Sequence, residues 1–97
     1  MTLLENTYHI LKAAELTTTC EAFSRDYVAK SPNWFAWRRH AGRDFSLAAA
    51  IQCLRSIRLQ RQRGLALNGL QIRALADLEY ELLQHLNECY FINGVST

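Results

Sequence analysis

Chain breaks are scarce in this sequence. One proline, Pro32, and four glycines punctuate 97 residues, whereas a β-protein of this length turns on Gly- and Pro-rich clusters roughly every 8–12 residues. The intervals between breaks are long enough for helices, and apolar residues recur in them at helical spacing. The chain therefore reads as an all-α protein, a compact five-helix domain. A length of 97 residues is one domain. Apolar residues make up 49% of it and charged residues 21%, a balance that supplies enough hydrophobic surface to offset the entropy of ordering the chain.

Capping signals place the helices. T-L-L-E at Thr2 to Glu5 is a capping box, a threonine oxygen followed three residues later by a glutamate, and Leu4, Tyr8, Leu11 and Ala14 follow at helical spacing. Thr17, Thr18 and Thr19 interrupt that pattern, because β-branched hydroxyls lose rotamer freedom in a helix and compete for its backbone bonds. T-T-C-E at Thr18 to Glu21 repeats the box and opens a second helix, about Thr19 to Ala29, with Phe23 and Tyr27 inward. Ser31 and Pro32 then suit the cap and first position of a third helix. Gly42 ends it, so it covers about Pro32 to Ala41 and the link before it is two or three residues.

Ser46 caps a fourth helix with Leu47, Ile51, Leu54 and Arg58 on one line and Ala50 and Ile57 beside it. R-G-L-A-L-N-G, residues 63–69, is the clearest linker, with Asn68-Gly69 its strongest turn signal. A last helix covers about residues 70–92. Its polar residues Arg73, Asp77, Glu81, Gln84 and Glu88 form one narrow stripe and leave apolar residues around most of the circumference. A helix packed on one side needs an apolar arc of only about 100°. The surplus predicts a homodimer, the commonest soluble oligomer, built on Leu75, Leu78, Leu82, Leu86 and Cys89. The competing expectation is a central helix enclosed by its own domain.

Charge is partitioned along the chain. Net charge is +2, yet residues 25–63 hold nine Lys and Arg against Asp26 and Asp44, or +7, while residues 1–24 carry −2 and residues 64–97 carry −3. A basic centre between acidic ends suggests an anion-facing surface. Within it, R-D-Y-V-A-K-S-P-N-W-F-A-W-R-R-H-A-G-R, residues 25–43, mixes aromatic and basic side chains. Trp34, Phe35 and Trp37 have two readings, as core aromatics or as exposed contact groups.

The run of short helix, tight turn, short helix beginning S-P-N, then G-R-D-F-S-L before an amphipathic helix resembles the helix-turn-helix of the lambda-repressor and Cro family. Phe23-Ser24 matches the apolar-small pair of the first helix, Tyr27 the next inward apolar, Trp34 and Trp37 the paired apolars of the second helix, and Gly42 to Leu47 the approach to the following helix. The match covers about residues 18–57, with the helix-turn-helix itself about 18–42. The chain is also similar to a small bacterial family of such domains with aromatic-rich second helices. Two departures stand out. Ala29-Lys30 takes the place of the family's turn glycine, and Phe45 that of a proline. Placing Ala29 at the glycine position moves the inward pair to Phe35 and its neighbours.

The resemblance implies a transcriptional regulator that sets its third helix in the major groove of double-stranded DNA. Lys30, Ser31 and Asn33 would then contact base edges, and Arg25, Arg38, Arg39 and Arg43 the phosphate backbone. The alternative is a protein-interaction module on the same scaffold, anchored by Trp34 and Tyr80.

Other classes find no support. No apolar run approaches the roughly 20 residues of a membrane span, and acids stand where a signal peptide carries positive charge, so the expectation is a cytoplasmic protein. Cys20, Cys53 and Cys89 are odd in number and far apart, which predicts buried free thiols rather than a disulfide framework. His85 and Cys89 are four apart, but two ligands do not make a zinc site. There is no phosphate loop, HExxH or nucleophile elbow, so no catalysis, cofactor or small-molecule substrate is expected.

Overall fold

The computed structural model describes residues 1–64 and 66–90. They form five α-helices: α1 (Leu3–Ala13), α2 (Cys20–Tyr27), α3 (Trp34–His40), α4 (Leu47–Arg63) and α5 (Gly69–Tyr90). The expected all-α architecture is the observed one. Phe91 and Ile92, in the last turn expected of the final helix, lie outside the described residues.

Local side chains start the helices. Glu5 N donates to Thr2 Oγ1 at 3.2 Å, Ala22 N to Thr19 Oγ1 at 3.0 Å and Ala49 N to Ser46 Oγ at 3.2 Å. Each bond satisfies a first-turn amide that has no intrahelical partner. The cap of α2 is Thr19, one residue later than the T-T-C-E reading. At α5 the turn signal Asn68-Gly69 is itself a capping box: Gln71 N donates to Asn68 Oδ1 at 2.8 Å, and Asn68 N to Gln71 Oε1 at 3.1 Å.

Helix ends depend on left-handed residues, only some of which are glycine. Gly42 and Gly64 take φ of 69° and 56°, as a terminating glycine should, but Glu15 and Ala29 take 59° and 56° at the ends of α1 and α2. Leu16 N donates back to Leu11 O at 2.9 Å, the six-residue bond that closes a helix through a left-handed residue, and Lys30 N donates to Ser24 O at 3.0 Å, one residue wider, around the left-handed Ala29. As a result α1 stops before the threonine run, and α2 stops at Tyr27 rather than Ala29.

Packing gathers one core. α4 lies along α5, α2 packs on both α3 and α4, and α1 packs on α5. Tyr8, Phe23 and Phe35 meet where α1, α2 and α3 converge, with ring centroids 4.9–5.6 Å apart, and Tyr27 stacks beside Phe23 at 6.1 Å. Tyr27 also donates its hydroxyl to Gln60 Oε1 at 2.6 Å; burial, only partly opposed by that bond, pushes the phenol up to about 12.

On α4 the inward residues are Ala49, Ala50, Cys53, Leu54 and Ile57. Leu47, expected on the inward line, is exposed, and Ile51 and Arg58 are only half-buried. Of the cysteines only Cys53 is a buried thiol, raised to about 12 by burial; Cys20 is half-buried and Cys89 exposed. Among the described residues no helix is long and apolar enough to cross a membrane.

The leucines expected at a dimer interface are elsewhere. Leu75, Leu78, Leu82 and Leu86 are fully buried in the domain's own core, so they have no surface to offer a partner. The apolar surplus of α5 is real but sits to one side. Ile72 and Tyr80 are 48% and 62% exposed, with Ala76 half-buried between them and Leu83 half-buried about one turn beyond Tyr80.

Candidate nucleic-acid interface

α3 is held from its inner side. Phe35 is fully buried, and a phenylalanine buried to that extent contributes about 1.5–3 kcal/mol. Its backbone N–H donates to Ser24 Oγ at 3.0 Å, and Ser24 in turn donates to Cys20 O at 3.0 Å, so α2 grips the first turn of α3 through one buried hydroxyl. Ser24 is small, buried and polar for that reason. Ala29 in the left-handed region sets the angle between the two helices.

The inward register differs by one residue from the Trp34 and Trp37 pairing. Phe35 points in, Trp34 is half-buried, and Trp37 is 79% exposed. α3 also starts later than expected. Pro32 and Asn33 form a turn in which Trp34 N donates to Ser31 O at 3.0 Å, and the connection from Tyr27 to Trp34 is longer than the two or three residues expected. Asn33 occupies the cap position with helical backbone angles and makes no capping bond.

Lys30, Ser31 and Asn33 are all exposed on this turn. Ser31, Asn33, Trp34 and Trp37 line an open cleft of about 340 Å³. The structure therefore brings two of the three expected base-contacting residues together with the tryptophans.

The expected backbone contacts divide. Arg39 and Arg43 are exposed, and among the described residues neither they nor Lys30 has a carboxylate within 4 Å. Arg39 rests its guanidinium 5.3 Å from the Phe35 ring centre, a cation–π contact at the helix end. Arg25 is exposed but lies 3.4 Å from Asp26, which cancels much of its charge.

Arg38 does not belong with them. Its Nε and Nη2 donate to the Asp44 carbonyl oxygen at 2.9 and 2.6 Å, and its guanidinium lies over the Trp34 ring at 5.4 Å. Its donors serve the fold. The Asp44 carboxylate meanwhile accepts from Leu3 N at 3.1 Å, Leu4 N at 2.8 Å and Phe45 N at 2.8 Å. Asp44 thus caps α1 from forty residues away and anchors the loop between α3 and α4. Charge-assisted bonds of this kind are the stronger class.

The nine cations of residues 25–63 do not act as one surface. On α4, Arg58 Nε donates to Glu79 Oε2 at 3.1 Å, and Arg61 Nη1 pairs with Glu79 Oε1. Burial alone would raise the Glu79 carboxyl, but the hydrogen bonds and charges of the two arginines outweigh it and hold the group below the ordinary glutamate range. Those cations fasten α4 to α5.

The exposed Cys89 keeps its sulfur 3.7 Å from His85 Nδ1. No group of three potential metal ligands occurs among the described residues.

Asp44 and Glu79 were missed as determinants of this surface, and neither had a readable signal. Trp37 had one, since putting Ala29 at the left-handed turn position moves Phe35 inward in its place.

No curated protein and no solved structure matches the chain. The sequence profile of one family spans nearly its whole length, residues 4–91, and on that match the chain belongs to DUF6626, a family of unknown function.

Proposed function

We propose that α2, its turn and α3 form a helix-turn-helix of the lambda-repressor and Cro type that binds double-stranded DNA, and that the protein is a transcriptional regulator. The observation that carries this reading is the charge of the α3 region. From Val28 to Arg43 the chain has four Lys and Arg and no Asp or Glu, and three of the four are exposed and untied to any carboxylate among the described residues. Ser31 and Asn33 would face base edges, and Lys30, Arg39 and Arg43 the phosphates, with Arg25 a weaker contributor beside Asp26. Arg38 is withdrawn from the contacting set. Acting as a homodimer, the protein would join through the exposed face at Ile72 and Tyr80 and span half-sites about one duplex turn apart.

The test is duplex binding by fluorescence anisotropy across a salt series. Arg39→Ala and Arg43→Ala should each weaken binding on every sequence and lower the salt slope by about one. Arg61→Ala, on the α4 side, should leave the slope unchanged. Absence of duplex binding at low salt would exclude the reading.

Exposure of Tyr80 and Ile72 favours a second reading, a module that docks another protein on α5, since aromatic anchors are frequent at interfaces. Solution mass and heparin retention separate the two. A dimer eluted from heparin by salt supports the regulator, and a monomer that ignores heparin supports the docking module.

A further inference from the structure

The outward line of α3 consists of Asn33, Ala36, Trp37 and His40, all exposed and spaced i, i+3, i+4, i+7 along one helical face. Neither arginine of the helix stands on that line. Arg38 is directed to the Asp44 carbonyl oxygen and Arg39 to the Phe35 ring. The face presents one amide that makes no hydrogen bond to the described residues, an alanine methyl, a large exposed indole and an imidazole.

Those groups fit some base pairs better than others. In the major groove guanine offers two acceptors, which an arginine or lysine reads. Adenine offers a donor beside an acceptor, the complement of an asparagine amide, and thymine offers a methyl group that accepts apolar contact. We infer that α3 selects A·T-rich duplex DNA, with the Asn33 amide paired to adenine and Ala36 and Trp37 packed on thymine methyls. The inference rests on the helix-turn-helix reading above and adds the class of sequence it takes.

Charge favours a nucleic acid over a protein partner for this face. Lys30, Arg39 and Arg43 flank it, no acid occurs from Val28 to Arg43, and cations so placed can follow phosphates while the uncharged centre meets the bases. The cleft between Trp34 and Trp37, with Ser31 and Asn33 on its wall, gives a methyl group an apolar seat beside two hydrogen-bonding side chains.

The experiment uses the full chain and three short duplexes of equal length at one salt concentration: alternating A·T, alternating G·C, and the A·T sequence with every thymine replaced by uracil, which lacks the methyl. The A·T duplex should bind about tenfold or more tighter than G·C. Uracil should weaken binding about fourfold for each methyl contacted, the factor expected for burying one such group.

Trp37→Ala should cut the preference for thymine over uracil to the share that Ala36 supplies, Asn33→Ala should narrow the gap between A·T and G·C, and Arg39→Ala should weaken all three equally. Equal binding of all three duplexes by the wild-type chain would overturn the sequence-class inference and leave DNA binding intact. Binding of none would overturn both and return the face to a protein partner.

Discussion

Arg39 and Arg43, around the end of α3, and Arg58 and Arg61, on α4, come from the same cationic stretch of sequence, yet they meet different surroundings. On α4 the two guanidiniums converge on one carboxylate, Glu79 of α5, and join the longest helix pair of the domain. Around α3 the nearest acid in sequence is Asp44, and its carboxylate is already engaged by the first amides of α1. No counterion is left for Arg39 or Arg43 among the described residues.

The difference shows that a run of basic residues is not itself a binding surface. What matters is whether the fold brings a carboxylate to it. α3 also departs from α4 in how it is supported: it hangs on a buried phenylalanine and one serine hydroxyl, which leaves its other side open.

The largest effect is expected at that support. Phe35→Ala should cost about 3–5 kcal/mol, the range for truncating a buried phenylalanine, and should loosen α1, α2 and α3 together. Trp37→Ala, two residues along, should leave the chemical-denaturation midpoint nearly unchanged. Equal losses would mean that Trp37 is packed after all and that α3 has no free face.

A smaller effect is expected on the α4 side. Glu79→Gln should lower stability by roughly 1 kcal/mol at neutral pH, a figure kept small because the pair is partly solvated. Its pH dependence follows from the depressed carboxyl. A group whose folded value lies below its unfolded value, about 4.3 for glutamate, stabilises the fold fully above that unfolded value and loses the contribution as pH falls through the folded one. The melting difference between wild type and Glu79→Gln should therefore shrink as pH drops below about 4, and a difference constant down to pH 3 would show that the arginines do not depend on this carboxylate.

The smallest effect is expected at the turn between α2 and α3. Ala29→Gly should raise stability by about 0.5 kcal/mol, because glycine relieves the left-handed strain while adding some freedom to the unfolded chain. Duplex affinity, set by the unchanged aim of α3, should stay the same.

Much of the fold could be read from neighbouring residues. Thr2, Ser46 and Gly42 act where they were expected, and Leu4, Tyr8, Leu11, Phe23 and Tyr27 are inward as their spacing requires. The candidate site was less legible. Its residue types lie at the right place in the chain, but the inward face of α3 stayed open between two registers one residue apart, because a left-handed alanine is indistinguishable from a helical one in sequence. The leucines of α5 were assigned to a partner for a related reason. An apolar stripe marks a helix face to be covered and does not say whether the cover comes from the same chain.

Caps, breaks and the spacing of apolar residues acted within a few positions of one another, and so the sequence by itself determined five helices, their approximate limits and most of the inward side chains. Tertiary structure decided which cations stay free. Glu79 meets Arg58 from about twenty residues away, and Asp44 meets α1 from about forty. An electrostatic partner is chosen by distance in space, and that distance exists only after the helices have packed.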